Sequence, residues 1–431
     1  MEKIFHLKEN GTTVRTELSA GITTFFAMAY IIFVNPVFLS ATGMSAEGAM
    51  IATCIGAAIG SVLCAVISNQ PYAMAPGMGL NTFFAFTLCS TAFYGYTWQQ
   101  ALALTFIAGV VFLLITLSPL RDIIIAAVPE NLQHSIAAGI GLFIALIGLL
   151  NSGLVVMTDG FPAIGDLGNP QTLMTIFGLL ATIILVMLHV KAPLLIGMLL
   201  TVAAGAISGR AELPSSIISL PKAGAEVAFK LDFHGLAGNH SFADVIKLLA
   251  LVFSMTMVDM FDTLGFLIGT ETQSKNLTRR TGRVLIADAM ATVIGAICGT
   301  STVTTYAESA SGVSVGGRTG LTSVVVACGF LLAVFLSPLA GLFTAAAAAP
   351  ALIIVGMYLL MDIRNVDFSR IDEAIPAFLT ILLIPLSYSI TTGIGAGIIT
   401  WVICKMVVRD KHRLNSAIVS LAVVFLLFLC L

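Results

Sequence analysis

Three carboxylates and one amide stand where polar chemistry is costly. Asp259 and Asp262 lie in the apolar stretch 244–269, within Val258-Asp259-Met260-Phe261-Asp262-Thr263-Leu264-Gly265. A charge at membrane depth costs about 2.5 to about 10 kcal/mol or more, so it is rarely kept without a role. Three residues apart, the two side chains are able to share one helical face. Glu308 is the only acid in 299–312, and Asn81 follows the glycines Gly77 and Gly79. A carboxylate accepts hydrogen bonds from ring N–H and exocyclic amino groups, and in a partly dehydrated pocket it takes up a proton near neutral pH. An Asn amide supplies both a donor and an acceptor. This set suits a planar heterocycle with mixed donors and acceptors and coupling to protons; it does not suit a simple anion. Each residue also has a structural reading. Asp259 would bond backbone or a hydroxyl on another span, and Asn81 would cap a helix. Phe83, Phe84, Phe86 and Phe261 would pack, and Asp288 would lie at an interface.

Two stretches that would position these groups do not read as plain helices. In Pro71-Tyr72-Ala73-Met74-Ala75-Pro76-Gly77-Met78-Gly79, two prolines and two glycines break any continuous helix, which restarts near Leu80. In Gly299-Thr300-Ser301-Thr302-Val303-Thr304-Thr305-Tyr306, a β-branched run favours an extended strand, and small residues then lead into a short helix. Unwound backbone survives at membrane depth only where it is buried or lines a cavity, and paired interruptions point to a transporter's binding site.

The remaining elements follow from composition. The chain has 431 residues, 58% hydrophobic and 10% charged, with net charge −2 and a mean hydropathy of +1.03. Soluble chains carry about 25% charged residues. This composition predicts an all-α polytopic membrane protein and suggests no nucleic-acid partner. The seven cysteines form no Cys-x-x-Cys pair, so neither a disulfide framework nor a metal site is expected. The polar segment 1–21 lacks the apolar core of a cleavable signal peptide. At roughly 20 apolar residues per crossing, spans fall near 19–40, 46–68, 80–95, 99–118, 130–151, 171–189 and 192–209. After a polar loop at 210–242 they resume near 243–269, 283–299, 306–316, 320–337, 344–361, 374–390 and 392–408. A further apolar stretch, 415–431, has the length of a short or interfacial helix. The interruptions fall in the third and tenth spans.

Basic residues orient these spans. With Lys3, Lys8 and Arg15 inside, the same side receives Arg121, Lys191, Lys275, Arg279, Arg280, Arg283, Arg318, Arg364, Arg370, Lys405, Arg409, Lys411 and Arg413. The opposite loop 152–170 has neither Lys nor Arg, as the positive-inside rule requires. Only 210–242 places Arg210, Lys222 and Lys230 outside. Seven spans per half give the halves opposite topology, an inverted repeat. Two short echoes accompany it: Leu117-Ser118-Pro119-Leu120 with Leu336-Ser337-Pro338-Leu339, and Tyr72-Ala73 with Tyr306-Ala307.

Several longer motifs carry a family resemblance. They are Gly11-Thr12-Thr13-Val14-Arg15-Thr16-Glu17, Ala20-Gly21-Ile22-Thr23-Thr24-Phe25-Phe26-Ala27-Met28-Ala29-Tyr30, Ala75-Pro76-Gly77-Met78-Gly79-Leu80-Asn81, Phe261-Asp262-Thr263-Leu264-Gly265 and Glu308-Ser309-Ala310-Ser311-Gly312. In order, over about residues 4–408, the chain resembles the AzgA-like purine permeases. The resemblance implies a fourteen-span uracil-transporter-type fold of two inverted repeats, with a short strand and a half-helix in spans 3 and 10. It divides the chain into a core domain (1–118 and 243–340), a gate domain (119–209 and 341–408), an extracellular loop (210–242) and a C-terminal apolar extension (409–431). It implies a proton symporter for adenine, or for guanine and hypoxanthine, in the plasma membrane with a cytoplasmic N-terminus. Asp262, Glu308 and Asn81 match the family's motif acids and amide. Ala73, Phe84, Thr263 and Ser309 complete the expected substrate contacts, Asp262 and Glu308 would couple protons, and Asp259 would support them. No cofactor is implied, and the broader fold commonly dimerises through its gate.

Two departures matter. Where uracil-type relatives carry a histidine after the eighth-span glycine, this chain has Phe266, so a proton route through that histidine does not carry over. The loop at 276–283 is shortened. Two other functional classes fit less well. An anion carrier on the same broad fold is disfavoured by the facing carboxylates. An intramembrane aspartyl protease would need aspartates on separate spans and a Gly-x-Gly-Asp stretch, whereas Asp259 and Asp262 share one span.

Overall fold

The computed structural model describes residues 2–119, 121, 128–158, 161–207, 216–221, 223–236, 242–271, 281–409 and 414–430. Its helices, in chain order, are α1 Val14–Met28, α2 Ile31–Ser40, α3 Ala46–Leu63, α4 Met78–Phe83, α5 Trp98–Leu117, α6 Glu130–Asn151, α7 Pro170–Met187, α8 Pro193–Ile207, α9 Phe242–Glu271, α10 Thr281–Cys298, α11 Ser309–Val315, α12 Gly320–Ala333, α13 Ala345–Leu360, α14 Ile371–Leu386, α15 Ile390–Val407 and α16 Ser416–Cys430. The strands are β1 Met74–Pro76, β2 Val155–Thr158, β3 Phe161–Ile164 and β4 Val303–Thr305. Among the described residues, nine helical stretches are long and apolar enough to cross a membrane, with shorter apolar helices at Met78–Leu88, Pro193–Ile207 and Ser416–Cys430. Polar caps start several of them. Thr97 and Gln100 form a reciprocal capping box before α5, and Asn169 caps α7 ahead of Pro170.

The two interrupted stretches meet. β1 and β4 pair antiparallel, with Met74 opposite Thr305, Ala75 opposite Thr304 and Pro76 opposite Val303. The ladder extends at both ends, as Gly77 N–H donates to Thr302 O at 2.9 Å and Tyr306 N–H to Ala73 O at 3.0 Å. Each strand leads into a short helix, β1 into α4 and β4 into α11. Glycines on α3 and α10 let those helices close on β4. A Cβ at Gly60 would stand 2.8 Å from Val303 Cγ1, and one at Gly295 2.5 Å from Val303 Cγ2. Every backbone polar group of an isolated strand would be orphaned in lipid; pairing and this helical cover remove the difficulty.

A second set of helices packs around α6, which contacts α13, α14 and α15. Gly141 on α6 and Gly356 on α13 bring the two backbones together: a Cβ at Gly141 would meet Leu360 N at 2.5 Å and Gly356 O at 2.6 Å. The C-terminal helix α16 lies against both α15 and α9, with Phe425 edge-on to Phe253 at 6.0 Å between centroids.

Several expectations are corrected. The first span runs as one helical stretch, Val14–Ser40, that tightens at Ala29–Tyr30, where Ile32 N–H bonds Ala29 O at 3.2 Å and Phe33 N–H bonds Tyr30 O at 3.1 Å, dividing α1 from α2. The nearest helix breaker, Pro36, lies inside α2 and does not mark the break. The loop 152–170 folds into the exposed hairpin β2–β3. The loop 210–242 includes short helices at Gly224–Val227 and Phe233–Leu236. Tyr72-Ala73 precedes β1 while Tyr306-Ala307 follows β4, so this echo joins non-equivalent positions. Arg210, Lys222, Lys275, Arg279, Arg280, Lys411 and Arg413, and most of the loop 276–283, lie outside the described residues.

Candidate functional site

A cavity of about 370 Å³ opens beside the crossed strands, within the range of about 300–1,000 Å³ usual for small-molecule sites. One wall comes from the α1–α2 break (Ala27, Tyr30), the β1–α4 junction (Gly77, Met78, Gly79), α9 (Asp262, Phe266) and the β4–α11 segment (Thr304 to Glu308). The opposite wall is Pro193 and Leu194 at the start of α8, with Val355, Tyr358 and Leu359 of α13. The described lining includes two carboxylates and no Lys, Arg or His.

The helical repeat of α9 sorts its acids. Asp262 and Phe266, one turn apart, both reach the cavity, and Asp262 is exposed there. Phe266 stands edge-on to Tyr72 at 5.2 Å. The departure from the uracil-type histidine therefore places an aromatic ring on the cavity wall. Asp259 and Thr263, also one turn apart, face inward. Asp259 is buried and its Oδ2 accepts from Thr292 Oγ1 of α10 at 2.8 Å. Thr263 is buried between Asp288 of α10, to which its hydroxyl donates, and Thr304 of β4. The two aspartates thus do not share one working face.

Glu308 sits at the N-terminal boundary of α11, and Tyr30 O–H donates to its Oε1 at 2.8 Å. Tyr306 O–H donates to Pro76 O at 2.5 Å, clamping the strands.

Five of the expected contacts do not line the cavity in this structure, because their polar groups are already used or their side chains are packed. Asn81 is buried, accepting from Ser301 Oγ and placing Nδ2 3.4 Å from Pro76 O. Ser309 Oγ accepts from Ala73 N–H at 3.0 Å, which occupies both residues in joining α11 to β1. Thr263 is committed to Asp288 and Thr304, and Phe84 is wholly buried. These residues hold the strands and half-helices in place. Asp288, expected at an interface, is fully buried. Sequence reasoning missed Tyr30, Tyr358 and the role of Phe266. Only Phe266 had a signal, its one-turn spacing from Asp262.

Comparison with known proteins identifies the family. Residues 15–396 match the model of the Permease family. The chain is 39% identical to the guanine/hypoxanthine permease PbuO of Bacillus subtilis over 98% of both chains. It is 38% identical to the adenine permease AdeP of Escherichia coli over 99% of this chain and 95% of that one. In fold it is similar to the transmembrane domain of the cyanobacterial bicarbonate transporter BicA, with a TM-score of 0.64 at 17% identity over 89% of this chain and 97% of that one. The resemblance drawn from the motifs holds over nearly the whole chain: the protein is a multi-pass membrane transporter, not an enzyme, and belongs to the Permease family.

Proposed function

We propose that the protein carries out proton-coupled uptake of purine nucleobases, guanine and hypoxanthine or adenine, across the plasma membrane by alternating access. The observation that carries this reading is the cavity: two carboxylates, aromatic rings and, among the described residues, no lining cation, set against a pair of interrupted membrane segments. Purines present N–H donors on planar rings, which carboxylates and aromatic faces recognise. The names of PbuO and AdeP support a purine substrate, and their near-equal identities leave the choice between 6-oxo and 6-amino purines to experiment. Asp262 and Glu308 would accept hydrogen bonds from the base, and at least one would meet the proton. In this reading the chain forms fourteen spans as a 7+7 inverted repeat, with the N-terminus cytoplasmic. The elements through α5, and from α9 through α12 to residue 340, make a core. It moves against a gate of α6–α8 and α13–α15, through which two copies would pair. The cavity, walled by both sets, lies where such motion would open and close it.

Anion carriage is the second reading, because BicA is named a bicarbonate transporter. Two carboxylates without a lining cation would repel an anion, and that likeness, at 17% identity, concerns the fold alone. Radiolabelled hypoxanthine uptake in cells lacking their own purine permeases, with and without an uncoupler, tests the proposal. Competition by unlabelled adenine and guanine then assigns the preferred base. Uptake insensitive to the uncoupler would remove proton coupling, and bicarbonate competing where purines do not would favour the second reading.

A further inference from the structure

Outside the cavity lining, a second pair of carboxyls is unused by base binding. Asp259 of α9 is 2% exposed and Asp288 of α10 0%. Each has one oxygen bonded to a threonine hydroxyl, Asp259 Oδ2 to Thr292 and Asp288 Oδ2 to Thr263. The other oxygen of each, Oδ1, is buried without a hydrogen-bond partner among the described residues. Thr304 stands beside both carboxyls, and its Oγ1 lies 2.9 Å from Thr263 Oγ1. Thr304 also lines the cavity and is itself 1% exposed, so hydroxyl contacts join a cavity-lining residue, through Thr263, to Asp288.

The charges facing this pair are few. On α9 there is Asp262, which turns to the cavity; beside Asp288 there is the buried thiol of Cys64, which follows α3. β4 and α5 present no titratable side chain. On α10 the cation Arg283 is exposed five residues from Asp288, and on α15 Lys405 is ion-paired with Asp372 and Glu373. No described cation therefore balances two neighbouring buried carboxylates, and two such groups do not both stay ionised in a dry setting.

We infer that the Asp259–Asp288 pair is the storage site of the transported proton, loaded from the cavity through the Thr304–Thr263 hydroxyls. The inference rests on the proton-coupled reading above. In the loading step a hydronium in cavity water gives its proton to Thr304 Oγ1. That hydroxyl releases its own proton to Thr263 Oγ1, which passes its proton to Asp288, leaving one water and one protonated carboxyl. Base and proton then sit at the two ends of the Thr304–Thr263 hydroxyls, so each is able to influence the other through β4.

Purified full-length protein in proteoliposomes tests this with radiolabelled hypoxanthine. Wild type should accumulate hypoxanthine when an inward proton gradient is imposed. Asp288→Asn should bind hypoxanthine within about threefold of wild type and exchange it across the membrane, yet accumulate none in response to the gradient. Asp262→Asn should lose binding itself. As a milder variant that keeps both acids, Thr292→Val should displace the uptake-versus-pH curve while leaving maximal uptake within about twofold. Gradient-driven accumulation by Asp288→Asn equal to wild type would overturn the inference and leave the proposed function intact. So would an unshifted pH curve in Thr292→Val, or loss of binding in a folded, monodisperse Asp288→Asn. Accumulation by wild type under a Na⁺ gradient alone would overturn the proton assignment, and no response to either gradient would remove the coupled reading with it.

Discussion

At the scale of single residues, an acid in an apolar run was the most legible feature, because charge at membrane depth is too costly to keep idly. Asp262 and Glu308 were found that way and both line the cavity. Neutral polar residues are cheaper and therefore ambiguous. Asn81, Thr263 and Ser309 were expected at the substrate, yet they serve internal bonds. Tyr30, visible only as the end of a motif, and Tyr358 carry no signal of their own, because a tyrosine in an apolar stretch is ordinary. Two predictions belong here. Asp262→Asn and Glu308→Gln should each reduce hypoxanthine uptake to below about one-tenth of wild type with unchanged membrane level by immunoblot, since each removes a carboxylate acceptor worth roughly 1.5–3 kcal/mol. Tyr30→Phe removes the donor that fixes Glu308. It should raise the apparent KM about tenfold, the equivalent of about 1.4 kcal/mol, with Vmax within twofold, as read from initial uptake rates.

At the scale of elements, the apolar runs gave helix positions to within a few residues, and proline, glycine and β-branched clusters located both interruptions. Pairing of β1 with β4 was beyond local pattern, since three-residue strands owe their register to partners distant in sequence. The break at Ala29–Tyr30 and the β2–β3 hairpin had no strong local signal either. Glu17 illustrates a different gap. It was visible only as part of a motif, yet it caps α12 from α1, accepting from Arg318 N–H at 2.8 Å, Thr322 N–H at 3.2 Å and Thr322 Oγ1 at 2.6 Å. The prediction at this scale concerns the α6–α13 contact. Gly141→Val would press its side chain into backbone atoms of α13, the helix that presents Val355, Tyr358 and Leu359 to the cavity. Overpacking of this kind costs about 1–3 kcal/mol. Thermal unfolding in detergent should shift to lower temperature, and uptake should fall at least about fivefold through the displaced wall. Normal uptake would show that α13 tolerates the separation.

For the whole molecule, composition marked a multi-pass membrane protein directly, because it depends on a sum over many positions rather than on any single one. The C-terminal helix was legible as an apolar segment but not in its placement. α16 buries Ile418 and Phe425 against α15 and α9, and α9 carries Asp259 and Asp262. Removing residues 416–431 should lower the thermal midpoint by roughly 5 °C or more, at about 2–4 °C per kcal/mol, with a parallel loss of uptake; an unchanged midpoint would make the helix dispensable. The crossed strands carry a consequence for how the molecule is made. Met74 pairs with Thr305, and at about 5–20 residues per second the ribosome delivers the second roughly 10–50 s after the first. Throughout that interval β1 sits in or beside the bilayer with an unmatched edge. A nascent first half must therefore be sheltered by the insertion machinery or by water until β4 arrives, and the binding site comes into being only once α11 and α13 have followed.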